Sequence, residues 1–129
     1  MIDHITLRVR DYQKSKAFYE KALAPLGYSV LMEFDFPGVG KFCGMGVAPK
    51  PDFWLGPHEE QHPAPTGQHI SFRAEKRAQV DAFHQAALAA GAKDDGKPGP
   101  RAEYHPGYYG AFVVDLNGIH LEACVHRPE

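Results

Sequence analysis

The two halves of the sequence are copies of one another. Residues 4–24 recur without a gap 65 positions later as residues 69–89, and 65 is close to half of the 129-residue chain. Eight of the 21 paired positions are identical: His4/His69, Ile5/Ile70, Arg8/Arg73, Ala17/Ala82, Phe18/Phe83, Ala22/Ala87, Leu23/Leu88 and Ala24/Ala89. The repeat predicts one module duplicated. Half a chain, at roughly 60 residues, buries too little surface to be comfortably stable, so we expect both halves to fold together as one domain.

Each copy begins with a strand that leads into a helix. Polar and apolar residues alternate over His4–Val9 and again over His69–Ala74, which is the pattern of a half-buried strand. Asp11 then predicts a helix N-cap, and apolar residues at helical spacing run to Gly27. The second copy repeats the helical spacing up to Gly91.

Short β-prone runs complete both halves, at 28–34, 41–47 and 52–55 in the first and at 93–95, 110–116 and 119–125 in the second. The Asn117-Gly118 pair predicts a tight hairpin between the last two runs. We therefore predict an α+β fold in which two βαβββ modules form a curved mixed sheet with a concave cleft and the helices outside. Module one would span 1–56 and module two 68–126, joined by a proline-rich linker at 57–67, and 96–107 would be a long loop.

The alternation also predicts which side chains face the cleft. The aliphatic face of each strand must pack against a helix, so the polar face looks the other way. His4 and His69 would then share the cleft face with the polar residues of the last strand, His120, Glu122 and Cys124.

Composition narrows the classes of partner. A net charge of −2 gives no basic footprint for nucleic acid. No apolar run approaches the ~20 residues that would cross a bilayer, and no leader pattern opens the sequence. Two cysteines without CxxC spacing predict free thiols rather than a disulfide framework. We therefore expect a cytoplasmic protein with small-molecule partners.

Three motifs resemble the vicinal oxygen chelate superfamily, which includes glyoxalases, fosfomycin-resistance thiol transferases, bleomycin-binding proteins and extradiol dioxygenases. They are Asp3–Leu7, Gln68–Phe72 and Tyr108–Glu122. The resemblance implies a divalent metal held by His4, His69 and Glu122. Such ligands suit zinc, nickel, manganese or iron and leave coordination positions open for substrate oxygens. It also implies lyase, transferase or dioxygenase chemistry on a small oxygen-rich or aromatic molecule, with Glu122 at the catalytic centre.

The resemblance further implies a homodimer in which each cleft combines module one of one subunit with module two of the other. His4 and His69 of a single site would then come from different chains.

The sequence departs from the glyoxalase pattern at one position. Glyoxalases of this superfamily use a fourth protein ligand on the last strand of the first half, where this chain has Trp54 or Leu55. Neither binds a metal, so three-ligand members match better than lactoylglutathione lyases. The alternative is a non-catalytic, metal-free protein that sequesters a planar compound in the same cleft.

Further site candidates lie near the cleft. His105 is a candidate acid or base, and Trp54, Tyr104, Tyr108 and Tyr109 are candidates for substrate binding. The tyrosines could equally form a packed turn, and Trp54 could belong to the core.

Arg8 and Arg73 lie on the predicted cleft face of the two repeated strands. They could bind a substrate carboxylate, or bridge structurally to Glu33 or Asp115.

The run His58-Glu59-Glu60-Gln61-His62 matches the zinc-peptidase pattern HExxH, whose mechanism needs a helix. Pro57 and Pro63 flank the run, so we expect a charged loop instead.

Overall fold

A computed structural model gives the fold of residues 1–127, in which each half forms a four-stranded mixed sheet with one helix against it. The first half contains β1 (Ile5–Val9), α1 (Tyr12–Leu23), a 3-10 turn (Ala24–Leu26), β2 (Ser29–Phe36), β3 (Gly40–Gly46) and β4 (Phe53–Pro57). The second contains β5 (His69–Arg73), α2 (Arg77–Ala89), β6 (Lys93–Pro100), β7 (Tyr109–Val114) and β8 (His120–Val125). The α+β fold of two βαβββ modules is thereby confirmed.

The two sheets have equivalent strand orders, β1-β4-β3-β2 and β5-β8-β7-β6. In each sheet the first and last strands of the module pair in parallel, and the remaining pairs are antiparallel. Thr6 lies opposite Trp54 in the first sheet, and Ser71 lies opposite Glu122 in the second. Because Thr6 and Ser71 are repeat partners, Trp54 and Glu122 hold equivalent places.

The ends of α1 follow from two residues that the sequence singles out. The Asp11 carboxylate accepts a hydrogen bond from the Lys14 backbone N–H at 3.1 Å, which satisfies a donor that the helix itself leaves unpaired. Gly27 ends the segment with φ of +86°, a conformation that glycine adopts without steric cost. None of the helices within residues 1–127 has the length and apolarity needed to cross a membrane.

The region after α2 differs from the expected long loop at 96–107, because β6 continues to Pro100. This strand lies at the edge of its sheet, and its register against β7 shifts between Asp94 and Gly96 and again between Gly96 and Gly99. Edge strands with such bulges tolerate proline, because an edge residue need not donate to a neighbouring strand. The sequence predicts that the strand ends before Pro98 and Pro100, but both prolines lie within β6.

One hydrophobic core runs through both modules. The Phe72 ring of β5 meets Phe53 of β4 edge-on at a centroid distance of 5.3 Å and Tyr28 at 5.6 Å. Both Phe53 and Phe72 are buried, so module one supplies part of the packing surface of module two. This shared core explains why neither half would be expected to fold alone.

A buried polar contact joins the modules at the β7–β8 turn. The Tyr19 hydroxyl of α1 donates to the Asp115 carboxylate, which also accepts the backbone N–H groups of Asn117 at 2.7 Å and Ile119 at 2.8 Å. The Asn117 side chain in turn donates to Ser15 at 3.1 Å. The four polar side chains at this junction, Ser15, Tyr19, Asp115 and Asn117, all have hydrogen-bond partners, which is the condition for burying them.

Replacing this carboxylate should therefore cost stability. In Asp115→Ala three buried donors lose their acceptor, and we expect the free energy of unfolding to fall by about 3 kcal/mol or more. Urea unfolding followed by circular dichroism measures the loss. The matched control is Asp35→Ala, an exposed aspartate in β2, for which a change within about 0.5 kcal/mol is expected. Equal midpoints and slopes for the two variants would contradict the role given to this contact.

Candidate functional site

The concave face of module two carries a buried carboxylate next to a histidine. Glu122 on β8 is 4% exposed, and its Oε2 lies 2.9 Å from Nε2 of His69 on β5. The His69 side chain is half-exposed, so it lies between the carboxylate and solvent. A buried carboxylate is costly unless hydrogen-bonded or paired with positive charge, and His69 is one of the two groups that meet this need.

Tyr108 is the second group. Its hydroxyl donates to Oε1 of Glu122. Burial, followed by the bond to Glu122, raises the pKa of Tyr108 well above its usual range, so the phenol keeps its proton at neutral pH. Gly110 makes room for the pair, because a Cβ there would lie 3.2 Å from both the Glu122 carboxylate and the Tyr108 ring. Tyr108 therefore fixes the orientation of the carboxylate.

A group of hydrogen-bonded side chains lies beside this site, at the end of β8. His105 Nδ1 donates to the Pro106 carbonyl at 2.7 Å, which makes its Nε2 the acceptor for Nδ1 of His126 at 2.8 Å. His126 Nε2 lies 3.6 Å from the Cys124 thiol. The His105 and His126 rings are stacked, and both meet the Tyr108 ring edge-on. His105 thus contacts Tyr108, which in turn donates to Glu122.

The His4 side chain does not contact His69 or Glu122 within one chain. It is 55% exposed, and Nδ1 contacts the Asp3 carboxylate at 2.7 Å. The bonds from His4 and from Lys50 lower the pKa of Asp3. Within residues 1–127 no three His, Cys, Asp or Glu side chains converge closely enough to hold a metal. A single chain therefore brings His69 and Glu122 together without His4.

The concave face of module one has a different character. It holds a cavity of about 500 Å³ lined by Arg8, Phe34, Phe36, Val39, Phe42, Trp54 and Glu59. Phe34 stacks on Trp54 with ring centroids 5.9 Å apart and an interplanar angle of 9°. The Arg8 guanidinium lies 4.9 Å above the Phe42 ring. This volume suits a ligand of a few fused rings.

Trp54 occupies the place in module one that Glu122 occupies in module two. It lies opposite Thr6 in the parallel register, and its indole covers Gly44 on the neighbouring strand. A Cβ at Gly44 would lie 2.7 Å from the indole, so glycine is required there. Module one therefore has an aromatic side chain where module two has the Glu122 carboxylate.

The other residues predicted to bind substrate lie in different parts of the structure. Tyr104 is exposed and packs edge-on against Tyr108. Tyr109 lies on the helix side of its sheet, where its hydroxyl donates to Asp81 of α2 at 2.7 Å. Arg73 lines a separate surface hollow with His126 and Arg127, whereas Arg8 lines the aromatic cavity.

Sequence reasoning missed the three phenylalanines of the cavity. Phe34 and Phe36 alternate with Glu33 and Asp35 along β2, which was a visible signal. Alternation alone assigned apolar side chains to the core face, but here they are nearly half-exposed on the concave face. Glu33 instead lies on the helix side, where it accepts from Tyr12 at 2.6 Å.

The HExxH run forms no helix, as expected. Residues 58–62 form a loop in which Glu59 and His62 make a single antiparallel bridge.

Comparison with known proteins identifies the family. Residues 1–122 match the model of the glyoxalase/bleomycin resistance protein/dioxygenase superfamily. The fold is similar to that of a glyoxalase/bleomycin resistance protein from Albidiferax ferrireducens T118, with 27% identity, a TM-score of 0.79 and 98% of each chain covered. No curated protein matches the sequence.

Two further solved structures share the fold at lower identity. One is the fosfomycin resistance protein FosX from Listeria monocytogenes, complexed with Mn(II) and a dihydroxypropylphosphonic acid (19% identity, TM-score 0.66, 100% of this chain and 90% of that chain covered). The other is TnmS3, an antibiotic binding protein from Streptomyces sp. CB03234 (20% identity, TM-score 0.65, 100% and 96% covered).

The aromatic cavity can be tested through Trp54, the single tryptophan of the chain. In Phe34→Ala the indole loses its stacking partner to water, so we expect its emission to shift to longer wavelength and its quenching by acrylamide to rise. Leu116→Ala, which removes an exposed apolar side chain from the β7–β8 turn, should leave both quantities unchanged. Identical spectra for Phe34→Ala and the wild-type protein would contradict the described cavity.

Proposed function

The chain belongs to the glyoxalase/bleomycin resistance protein/dioxygenase superfamily, and from this premise we propose that it is a cytoplasmic, metal-dependent enzyme. It would act as a lyase, transferase or dioxygenase on a small oxygen-rich or aromatic molecule. The ligands we assign to the metal are His4, His69 and Glu122.

The observation that carries the proposal is the pair of His69 and Glu122. An imidazole nitrogen and a carboxylate oxygen 2.9 Å apart, on neighbouring strands, are two donors of the types that a divalent cation prefers. Glu122 is buried at the floor of the concave face, with its second oxygen held by Tyr108. These residues fit a divalent cation, because the buried negative charge would be compensated and the carboxylate is already oriented.

The third ligand, in this proposal, comes from a second copy of the chain. His4 is half-exposed and does not join His69 and Glu122 within one chain. The aromatic face of module one is also exposed, with Phe34 at 46% and Phe36 at 47%. A homodimer that places module one of one subunit against module two of the other would cover this face and complete the site.

When bound, the metal would supply a Lewis acid for substrate oxygens and leave positions open for them. Tyr108 keeps Glu122 in one orientation and retains its own proton. The aromatic face holds the carbon skeleton of the ligand and excludes water. His105 contacts Tyr108 rather than Glu122, so we assign it no direct contact with the metal.

Trp54 at the place equivalent to Glu122 favours the three-ligand members of the family over a lactoylglutathione lyase. A second candidate, a metal-free binding protein, is favoured by one observation, the aromatic cavity of module one. TnmS3, an antibiotic binding protein, has the same fold.

Metal binding and subunit mixing distinguish these functions. We expect the protein to bind Mn(II), the ion in the FosX complex, and to lose it in His4→Ala, His69→Ala and Glu122→Ala alike. Titration calorimetry on the purified chain measures the stoichiometry. His62→Ala, which removes a histidine of the HExxH run, is the matched control and should bind as the wild-type protein does. Loss of metal in the His62 variant alone would favour a zinc-peptidase site.

Mixing His4→Ala with His69→Ala tests the shared site. Each variant alone has no complete site, but a mixed dimer contains one site with all three ligands intact. After subunit exchange at equal amounts, about one quarter of the wild-type binding should return. A site within one chain predicts no recovery. A wild-type protein that binds no divalent metal but still binds aromatic compounds would replace the enzyme with the binding protein.

The role given to Tyr108 can be tested separately. Tyr108→Phe keeps the ring but removes the hydroxyl that orients Glu122, and loss of an outer hydrogen bond of this kind weakens metal affinity by about 10- to 100-fold. Tyr104→Phe is the control, because its exposed hydroxyl has no assigned role at the carboxylate. Equal Mn(II) affinity in the two variants would show that Tyr108 does not position Glu122.

A further inference from the structure

We infer that Glu59 is the polar anchor of the aromatic cavity and that it selects an uncharged, planar aromatic ligand carrying an O–H or N–H donor. The inference rests on the proposed function, because it concerns the ligand of the same cleft. It also gives a role to the HExxH run, which forms a loop rather than a helix.

The loop that carries Glu59 is held in place by backbone hydrogen bonds. The His58 N–H donates to the Val9 carbonyl at 2.8 Å, which ties the start of the loop to the end of β1. Glu59 and His62 exchange two backbone bonds of 3.2 and 3.1 Å, and the Ala64 N–H donates to His58 Nδ1 at 2.8 Å. The loop is therefore a defined element rather than a solvated linker, and it directs the Glu59 side chain to the cavity wall.

The carboxylate is oriented by two side chains. His62 Nδ1 contacts Oε1 at 2.5 Å, and because a carboxylate accepts only, this nitrogen carries the proton. Arg8 Nη1 lies 3.5 Å from the same oxygen. Both contacts use Oε1, so Oε2 is the oxygen that can accept a hydrogen bond from a ligand.

The charges around the cavity favour a neutral ligand. Arg8 and Glu59 are the two charged residues in its lining, and their charges are opposite. Arg8 is itself anchored, because Nη1 donates to the Pro57 carbonyl at 3.1 Å and the guanidinium stacks on Phe42. Because Arg8 and Glu59 lie 3.5 Å apart and compensate each other, the cavity offers an ionic ligand no unpaired countercharge to offset its loss of hydration. A neutral donor disturbs neither charge and makes a charge-assisted bond to Glu59.

The walls select the shape of the ligand. Phe34 and Trp54 present nearly parallel rings, and Phe36 and Phe42 meet at 85° on the adjoining wall. Flat rings gain offset and edge-on contacts with such walls. A volume of about 500 Å³ accommodates two or three fused rings.

A set of naphthalene probes tests the inference. Isothermal titration calorimetry on the full chain, with a chelator present so that metal contributes nothing, compares 2-naphthol, 2-methoxynaphthalene, 2-naphthoate and 2-naphthylmethylammonium. We expect 2-naphthol to bind about tenfold more tightly than 2-methoxynaphthalene, which lacks only the donor, and both ions to bind more weakly than 2-naphthol. In Glu59→Gln the tenfold preference should shrink to about threefold, because a hydrogen bond to a neutral acceptor has about half the free energy of one to a charged acceptor.

Glu60→Gln is the matched control, since Glu60 is the exposed neighbour of Glu59 and does not line the cavity. It should keep the full preference for 2-naphthol. Equal binding of 2-naphthol and 2-methoxynaphthalene, a preference that survives Glu59→Gln, tightest binding by either ion, or no binding of any probe would overturn the inference. Failure of the proposed function would show instead as absent Mn(II) binding with the 2-naphthol preference intact.

Discussion

The parallel pairing of the first and last strands of each module determines which side chains can meet on the concave faces. In module two, His69 lies opposite His120, and Glu122 stands two residues further along the same face. Diagonal neighbours of this kind are within reach of long side chains, so the imidazole and the carboxylate meet at 2.9 Å. A shift of one residue would turn Glu122 into the core and remove the pair altogether. The candidate site is thus a consequence of strand register.

The same register makes the two modules different in chemistry although they are alike in fold. Where module two has Glu122, module one has Trp54, and the strands beside it add phenylalanines instead of hydrogen-bonding groups. In the proposed function, the face of module two binds the metal and the oxygen atoms of the substrate, and the face of module one binds planar aromatic groups. Placing them against each other in a dimer would join the two properties in one cleft, with Glu59 as the acceptor on the apolar side.

Much of the fold could be predicted from the sequence, because the repeat and the alternation of His4–Val9 and His69–Ala74 are local signals with a clear physical cause. The end of β6 could not be predicted. Proline is compatible with a strand at the edge of a sheet, and the sequence does not show that β6 lies at an edge. The side to which Tyr109 points also escaped prediction, because the sequence predicts a loop up to this residue, whereas Tyr109 is the first residue of β7.

The candidate site could be predicted only in part. Glu122 and His69 share a face by alternation, but the hydroxyl of Tyr108 reaches Glu122 through a loop whose path depends on the whole module. The proline-flanked run predicts a solvated loop, so Glu59 is not among the predicted site residues. The bond from the His58 N–H to the Val9 carbonyl, which holds this loop against β1, joins residues 49 positions apart and is a tertiary contact. Side chains positioned by such contacts leave no periodic trace in a sequence.

The most direct test of a shared metal site is a crystal structure of the protein grown with Mn(II), with anomalous diffraction recorded at the manganese edge. The account predicts one anomalous peak per chain, bound by His69 and Glu122 of one subunit and by His4 of its partner, with the aromatic cavity facing it. An absent peak, or a peak bound entirely by residues of one chain, would contradict it.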